Sequence, residues 1–258
     1  MVDLKIFDSH AHYDDESFDE DRHSIIENLR KNNVIGILNC GSSMKGAKMS
    51  VELANTYDFI YAAVGIHPEF AEEVNERTIN KLREFAKNNK VKAIGEIGLD
   101  YYYDENPSKE VQKTAFINQM KLAEELDLPV IIHDREAHKD TLEILKMFPN
   151  VKGVVHCFSG SVEFSKECLK LGYYIGFTGV VTFKNAKKVV EVVKEVPLNR
   201  LLVETDCPYM APTPFRGKRN KSDYIAYIIK KIAEIKSIDE KELSEATILN
   251  VKNLLKLN

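Results

Sequence analysis

KIFDSHAH, residues Lys5 to His12, is an apolar strand-forming run that leaves on two histidines one residue apart. Alternate side chains of an extended segment share a face, so Asp8, His10 and His12 point the same way and the two imidazoles converge on one ion. By itself His-x-His is a weak signal, because a core histidine with one polar partner explains it equally well. The pattern gains weight because it recurs. Lys92–Ile97 carries Glu96 at its end, Val130–His133 closes on His133, Gly153–His156 on His156, and Leu201–Glu204 on Glu204, with Asp206 following on the same face. With the strand at Lys5–Asp8, the runs Val34–Cys40, Ile60–Ile66 and Tyr173–Phe177 complete a set of eight, and helix-periodic segments lie between them. That alternation predicts repeated β-α units and a parallel sheet. Closing eight such units brings every strand end to one rim, where ligand-type residues too far apart for any short segment to gather converge. The expected fold is α/β, a single (β/α)8 TIM-type barrel.

Length agrees, since 258 residues is close to the roughly 250 typical of one such barrel, and residues 1–258 read as one domain. With 44% hydrophobic and 29% charged residues and no low-complexity tract, the chain can bury a sizeable core and is expected to fold throughout. Met1–Asp8 has neither a basic nor an apolar leader, and no apolar run approaches the roughly 18 residues of a membrane span, which predicts a cytoplasmic protein. Cys40, Cys157, Cys168 and Cys207 form no Cys-x-x-Cys pair and read as buried free thiols of a reducing compartment. Phe116, Met120 and Ala123 make one helical core stripe, and Ile225, Ile228, Ile229 and Ile232 another. The last helix starts from Ser237 with Glu240 or from Asp239 with Glu242, two equally good capping registers.

A net charge of −4 excludes global attraction for nucleic acid, yet RGKRNK at Arg216–Lys221 sets four cations in six residues, a local surface for phosphate or a solvated turn. The ligand-type residues carry the stronger signal. Several carboxylates gathered in a low-dielectric mouth cost several kcal/mol per ion unless cations compensate them, and divalent metal is the simplest compensation. These residues point to a metallohydrolase.

The motifs DSHAH (Asp8–His12), GIHP (Gly65–Pro68), EIGLDYY (Glu96–Tyr102), IHDREA (Ile132–Ala137), HCFSG (His156–Gly160), ETDCPYMAP (Glu204–Pro212) and FRGKRN (Phe215–Asn220) run the length of the chain. On them the chain resembles the TatD family of metal-dependent deoxyribonucleases. The resemblance implies a barrel of the metal-dependent hydrolase superfamily. It also implies His10, His12, Glu96 and Asp206 as ligands of one metal and Glu96, His133 and His156 as ligands of a second, with Glu96 bridging. The implied activity is 3′-to-5′ exonuclease action on DNA, single strands preferred and RNA a further substrate. Cys207, Glu69 and Ser222 depart from the residues many relatives carry there, and Asn250–Leu257 lacks a frequent Arg; none of these removes a ligand.

A phosphodiester needs charge screening and a nucleophile, which two divalent ions about 3.5–4 Å apart supply together. Asp206 is expected to hold a metal and accept the attacking water's proton. Glu204 either orients that water and the metal shell or is a structural carboxylate paired to an interior cation. His67, Arg135, Arg216, Lys218 and Arg219 are the expected phosphate contacts. Tyr101–Tyr103 and Phe183 either stack on bases or simply pack, while His23 and His138 read as ordinary helix residues. Imidazole with carboxylate suits zinc, manganese, iron or cobalt, and the resemblance implies magnesium, so Mg²⁺, Mn²⁺ and Zn²⁺ stay open as the two divalent ions. The expected partner is DNA, bound without sequence preference, with no membrane and no obligate protein partner. A small-molecule amidohydrolase or lactonase on the same barrel is the alternative, because fold and metals do not choose the substrate. Its relatives often bridge their metals with a modified Lys on the fourth strand, where this chain has Glu96. A non-catalytic nucleic-acid binder would have little use for a full ligand set.

Overall fold

Val, Ile and Ala dominate the eight runs because each strand is covered on both faces, by the barrel interior on one side and by helices on the other. The computed structural model describes residues 4–257; residues 1–3, part of the stretch read above for a leader, and residue 258 lie outside the described residues. The strands are β1 (Ile6–Ala11), β2 (Val34–Gly41), β3 (Ile60–Val64), β4 (Val91–Asp100), β5 (Val130–Arg135), β6 (Gly153–Val155), β7 (Tyr174–Phe177) and β8 (Leu201–Val203). Neighbours pair in parallel and in chain order. Between them run α1 (Arg22–Lys31), α2 (Met44–Thr56), α3 (Glu76–Phe85), α4 (Lys109–Leu126), α5 (His138–Met147), α6 (Val162–Lys170) and α7 (Lys187–Glu195), with α8 (Ile225–Lys236) and α9 (Glu240–Leu254) last. The chain folds as a (β/α)8 barrel. Among the described residues no helix is long and apolar enough to cross a membrane.

Closure between β1 and β8 depends on polar bonds. Ala11 bridges Cys207, and Asp206 donates its backbone N–H to the His10 carbonyl at 2.9 Å. The buried Asp8 carboxylate accepts from Thr205 N (3.0 Å), Thr205 Oγ1 (2.6 Å) and Ser222 Oγ (2.7 Å). Ser222, one of the departures noted above, therefore supplies a hydroxyl to the seam. Inside the barrel, Phe7, Leu38, Ala63, Ile131 and Leu202 meet Val251, Leu254 and Leu255 at the C-terminal end of the chain. Asn250 anchors α9 there by donating to the carbonyls of Leu198 and Leu201. One end of the barrel is thus plugged, and ligands enter from the opposite rim, where the strands end. Asp239 caps α9, accepting from Lys241 and Glu242, while Ser237 closes α8 in the left-handed region, so the second capping register is the one adopted.

Four strands outrun the sequence reading, β1 reaching Ala11 and β2 Gly41, and the other two, β4 and β5, bear most on the site. Glu96 and His133 do not end their strands: β4 continues to Asp100 and β5 to Arg135, pairing Gly98 with His133, Leu99 with Asp134 and Asp100 with Arg135. The register slips between Ile94 and Ile97, and such a bulge re-aims the side chain at its centre, here Glu96. The extension requires Gly98, whose φ is +146° and where a Cβ would lie 1.9 Å from the His133 carbonyl oxygen. Gly98→Ala is expected to cost on the order of 3 kcal/mol, read as a lower urea midpoint. A midpoint equal to the wild type's would show that β4 and β5 do not approach this closely.

Candidate metal centre

His12 donates from Nδ1 to the Cys40 carbonyl at 2.7 Å, which leaves its Nε2 lone pair facing the barrel mouth. That nitrogen lies 2.9 Å from His10 Nε2, 3.4 Å from Glu96 Oε2 and 3.4 Å from Asp206 Oδ1. His10 Nε2 is in turn 3.3 Å from Glu96 Oε2 and 3.6 Å from Asp206 Oδ1. Donor atoms about 2.1 Å from a shared ion stand roughly 3.0–3.4 Å apart in octahedral or tetrahedral arrangements, and this quartet is spaced in that way.

The second set is built on the other oxygen of the same carboxylate. Glu96 Oε1 lies 2.8 Å from His133 Nδ1 and 2.7 Å from His156 Nε2, which are themselves 3.3 Å apart. Asp100 Oδ2 accepts from His133 Nε2 at 3.2 Å, so the ring turns its Nδ1 lone pair to the site. Burial pushes the Glu96 carboxyl up, but His156, His10 and His133 outweigh it and hold the group well below the usual range. Asp206 is held low in the same way, burial being overcome by His12 and His10. Both therefore offer charged oxygens. The Nδ1 atoms of His10 and His156 are buried with no protein hydrogen-bond partner, so the cluster does not satisfy itself. Paired lone pairs, ionised carboxylates and orphaned nitrogens are the donor chemistry of a divalent-cation site, and the residues fit that group.

Asp100 was missed from the sequence, although the signal was present. Glu96, Gly98 and Asp100 alternate along one strand face, and only the assumption that the strand stopped at Ile97 hid the third of them. Glu204 lies deeper than Asp206. It is fully buried, accepts from Cys157 N (2.5 Å) and Ser9 Oγ (3.2 Å), and sits 3.8 Å from His156 Nδ1. Burial raises its pKa to about 7, against the opposing pull of His156. A Cβ at position 176 would fall 2.5 Å from this carboxylate, so Gly176 makes its room. No Lys or Arg pairs with Glu204 among the described residues; its hydrogen-bond partners are a hydroxyl and a backbone N–H, and His156 stands at ion-pair distance.

A cavity of about 580 Å³ opens above these donors, walled by His67, Tyr103, Arg135, Phe158, Phe177 and Val180 among others. Arg135 has its guanidinium 3.9 Å from the Tyr102 ring centroid and 4.7 Å from that of Tyr103. Arg216 lies 4.4 Å over Phe183 in an adjoining groove that shares Asp15, Tyr209 and Met210 with the cavity, and Lys218 lines the same groove. Arg219 lines that groove as well, but its guanidinium grips Asp21 at 2.5 and 3.0 Å and the Ser17 carbonyl, clipping two loops together. The rim rings are likewise committed, Tyr101 to Asp140 and Lys109, and Tyr102, Tyr103 and Phe183 to arginines. Cys157 is a half-buried thiol on the cavity wall rather than a core one, while Cys40, Cys168 and Cys207 are buried. His138 bonds Asp134 and stacks on Phe164, and exposed His23 bonds the Tyr57 hydroxyl.

Residues 7–256 match the family model described as TatD related DNase. The chain belongs to this family. It is 45% identical over 98% of its length, and 100% of the relative's, to the uncharacterized metal-dependent hydrolase YabD of Bacillus subtilis. It is 34% identical, over 98% of its own length and 100% of the relative's, to a protein of Erwinia tasmaniensis named 3′-5′ ssDNA/RNA exonuclease TatD. Among solved structures it is similar to the TatD homolog YJJV of Escherichia coli, with a TM-score of 0.92, 31% identity and full coverage of both chains. It is a TatD-family metal-dependent hydrolase.

Proposed function

We propose that this TatD-family hydrolase cleaves phosphodiester bonds at DNA ends, 3′ to 5′ and on single strands by preference, with RNA as a further substrate. We place that work in the cytoplasm, with no obligate protein partner. The observation that carries the substrate class is the pair of guanidiniums at Arg135, on the cavity wall, and Arg216, in the adjoining groove, each held over an aromatic ring and lacking any carboxylate ion-pair partner among the described residues. A planar fork fixed in advance meets two phosphate oxygens at low entropic cost. The name of the Erwinia relative supports the same choice.

His10, His12, Glu96 and Asp206 would hold one divalent cation, and Glu96, His133 and His156 a second. When bound, such a pair activates water and screens the anionic phosphodiester. The chain's own residues do the rest. Both close contacts of Asp206 use Oδ1, which leaves Oδ2 free to take a proton from the attacking water. Asp100 holds the His133 ring and Glu204 braces the backbone at Cys157 beside His156, so the second donor set keeps its aim. Arg135 and Arg216 position the strand.

The test is to incubate metal-stripped protein with end-labelled single-stranded and duplex DNA across Mg²⁺, Mn²⁺ and Zn²⁺ and resolve the products. A ladder growing from the 3′ end supports the proposal; intact oligomer beside rapid lactone or amide hydrolysis moves the assignment to a small-molecule hydrolase. The two loop arginines are expected to separate. Arg216→Ala weakens strand binding and lowers the salt slope of log K by about 1, whereas Arg219→Ala leaves that slope unchanged because its charge is spent on Asp21. An Arg216→Ala slope equal to the wild type's, measured by fluorescence anisotropy from low to high salt, would remove Arg216 from the contact surface.

A further inference from the structure

His67 of the GIHP motif is built into the mouth with more care than a surface contact needs. Gln119 holds both backbone groups of Ile66, accepting from its N–H at 2.8 Å and donating to its carbonyl at 3.0 Å. Gly65 packs so close to Gly95 that a Cβ there would lie 2.7 Å from the Gly95 carbonyl carbon, and His67 N donates to the Ser42 carbonyl at 2.8 Å. The ring packs edge-on against His133 with centroids 4.3 Å apart. By proximity alone His67 qualifies as a further metal ligand beside Glu96 and His133.

Its hydrogen bonding says otherwise. His67 Nδ1 accepts the backbone N–H of Glu69 at 3.2 Å at the head of the short helix Pro68–Glu73. A nitrogen that accepts carries no proton, so the neutral ring must carry its proton on Nε2. An imidazolium is disfavoured by the same contact, since it would set two N–H groups against each other. Nε2 lies 3.7 Å from Glu96 Oε1, beyond hydrogen-bond reach, and His67 lines the cavity.

We propose that His67 is not a ligand but a fixed, neutral N–H donor to a phosphoryl oxygen of the substrate on the side of the second donor set. The role rests on the phosphodiester reading above. A preorganised donor aimed at developing negative charge contributes on the order of 10²–10³-fold in kcat.

The tautomer is read directly by long-range ¹H–¹⁵N NMR of the zinc-loaded wild-type protein, where the His67 ring should show a protonated Nε2 and a bare Nδ1. A protonated Nδ1 with a metal-bound Nε2 overturns the proposal. His67→Phe keeps the ring and deletes the donor. It should retain the wild-type zinc content by mass spectrometry while kcat on an end-labelled single strand falls on the order of 10²-fold with little change in KM. Loss of zinc, or an undiminished kcat, overturns it. Glu69→Pro deletes the amide hydrogen that pins the tautomer, and it should lower kcat with zinc retained; an unaltered kcat counts against the pinning. A wild type inert on every phosphodiester defeats the reading beneath the role, whereas an active wild type whose rate survives His67→Phe defeats the role alone.

Discussion

Glu96→Gln is expected to lower kcat/KM on an end-labelled single strand by on the order of 10³-fold or more and to reduce the divalent metal retained per chain. The two oxygens of Glu96 serve different donor sets, Oε2 facing His10 and His12 and Oε1 facing His133 and His156. Glutamine keeps the shape but offers one oxygen. Whichever way the amide is turned, its NH₂ meets nitrogen lone pairs at about 3 Å and withdraws a charged ligand from that set. The fold should survive, because the swap is nearly isosteric. Kinetics with metal analysis of the same preparation decide it. Wild-type metal content and turnover would mean that this carboxylate joins no metals, and the two-set reading would fall.

Asp206→Asn should lower kcat by about 10²–10⁴-fold, the range of a lost general base, with a smaller loss of metal than Glu96→Gln. Asp206 has φ +56°, a left-handed conformation that asparagine adopts as readily as aspartate, so the backbone at this turn is kept. The amide oxygen can still face His10 and His12 in place of Oδ1, while the amide nitrogen cannot take a proton. Single-turnover rates on metal-saturated protein isolate the chemical step. Normal turnover with full metal content would refute Asp206 as proton acceptor.

Most of the barrel was legible because its strands are covered on both faces and so read as unbroken apolar runs. The stripes Phe116–Met120–Ala123 and Ile225–Ile228–Ile229–Ile232 turned out to be buried helix faces, as a 3.6-residue period requires. Less legible was where β4 and β5 stop. Their extra residues include Asp100, Asp134 and Arg135, which look like loop residues and pair only because Gly98 permits close approach to His133. The basic loop shows a similar limit. Nothing in RGKRNK distinguishes Arg219, clipped to Asp21 from a distant loop, from Arg216, which lies over Phe183 with no carboxylate.

The order and type of the elements, and the residue types delivered to the rim, follow from local periodicity and strand alternation, which neighbouring residues in one segment express without help from the rest of the chain. Which atom faces which does not. Asp8 meets Thr205 across 197 positions, Glu96 shares its two oxygens between four imidazoles from β1, the residue after it, β5 and the residue after β6, and His67 carries its proton on Nε2 because of one backbone N–H. Those choices depend on side-chain rotation and on the distance between strands brought together by closure of the barrel, and only the folded molecule contains them.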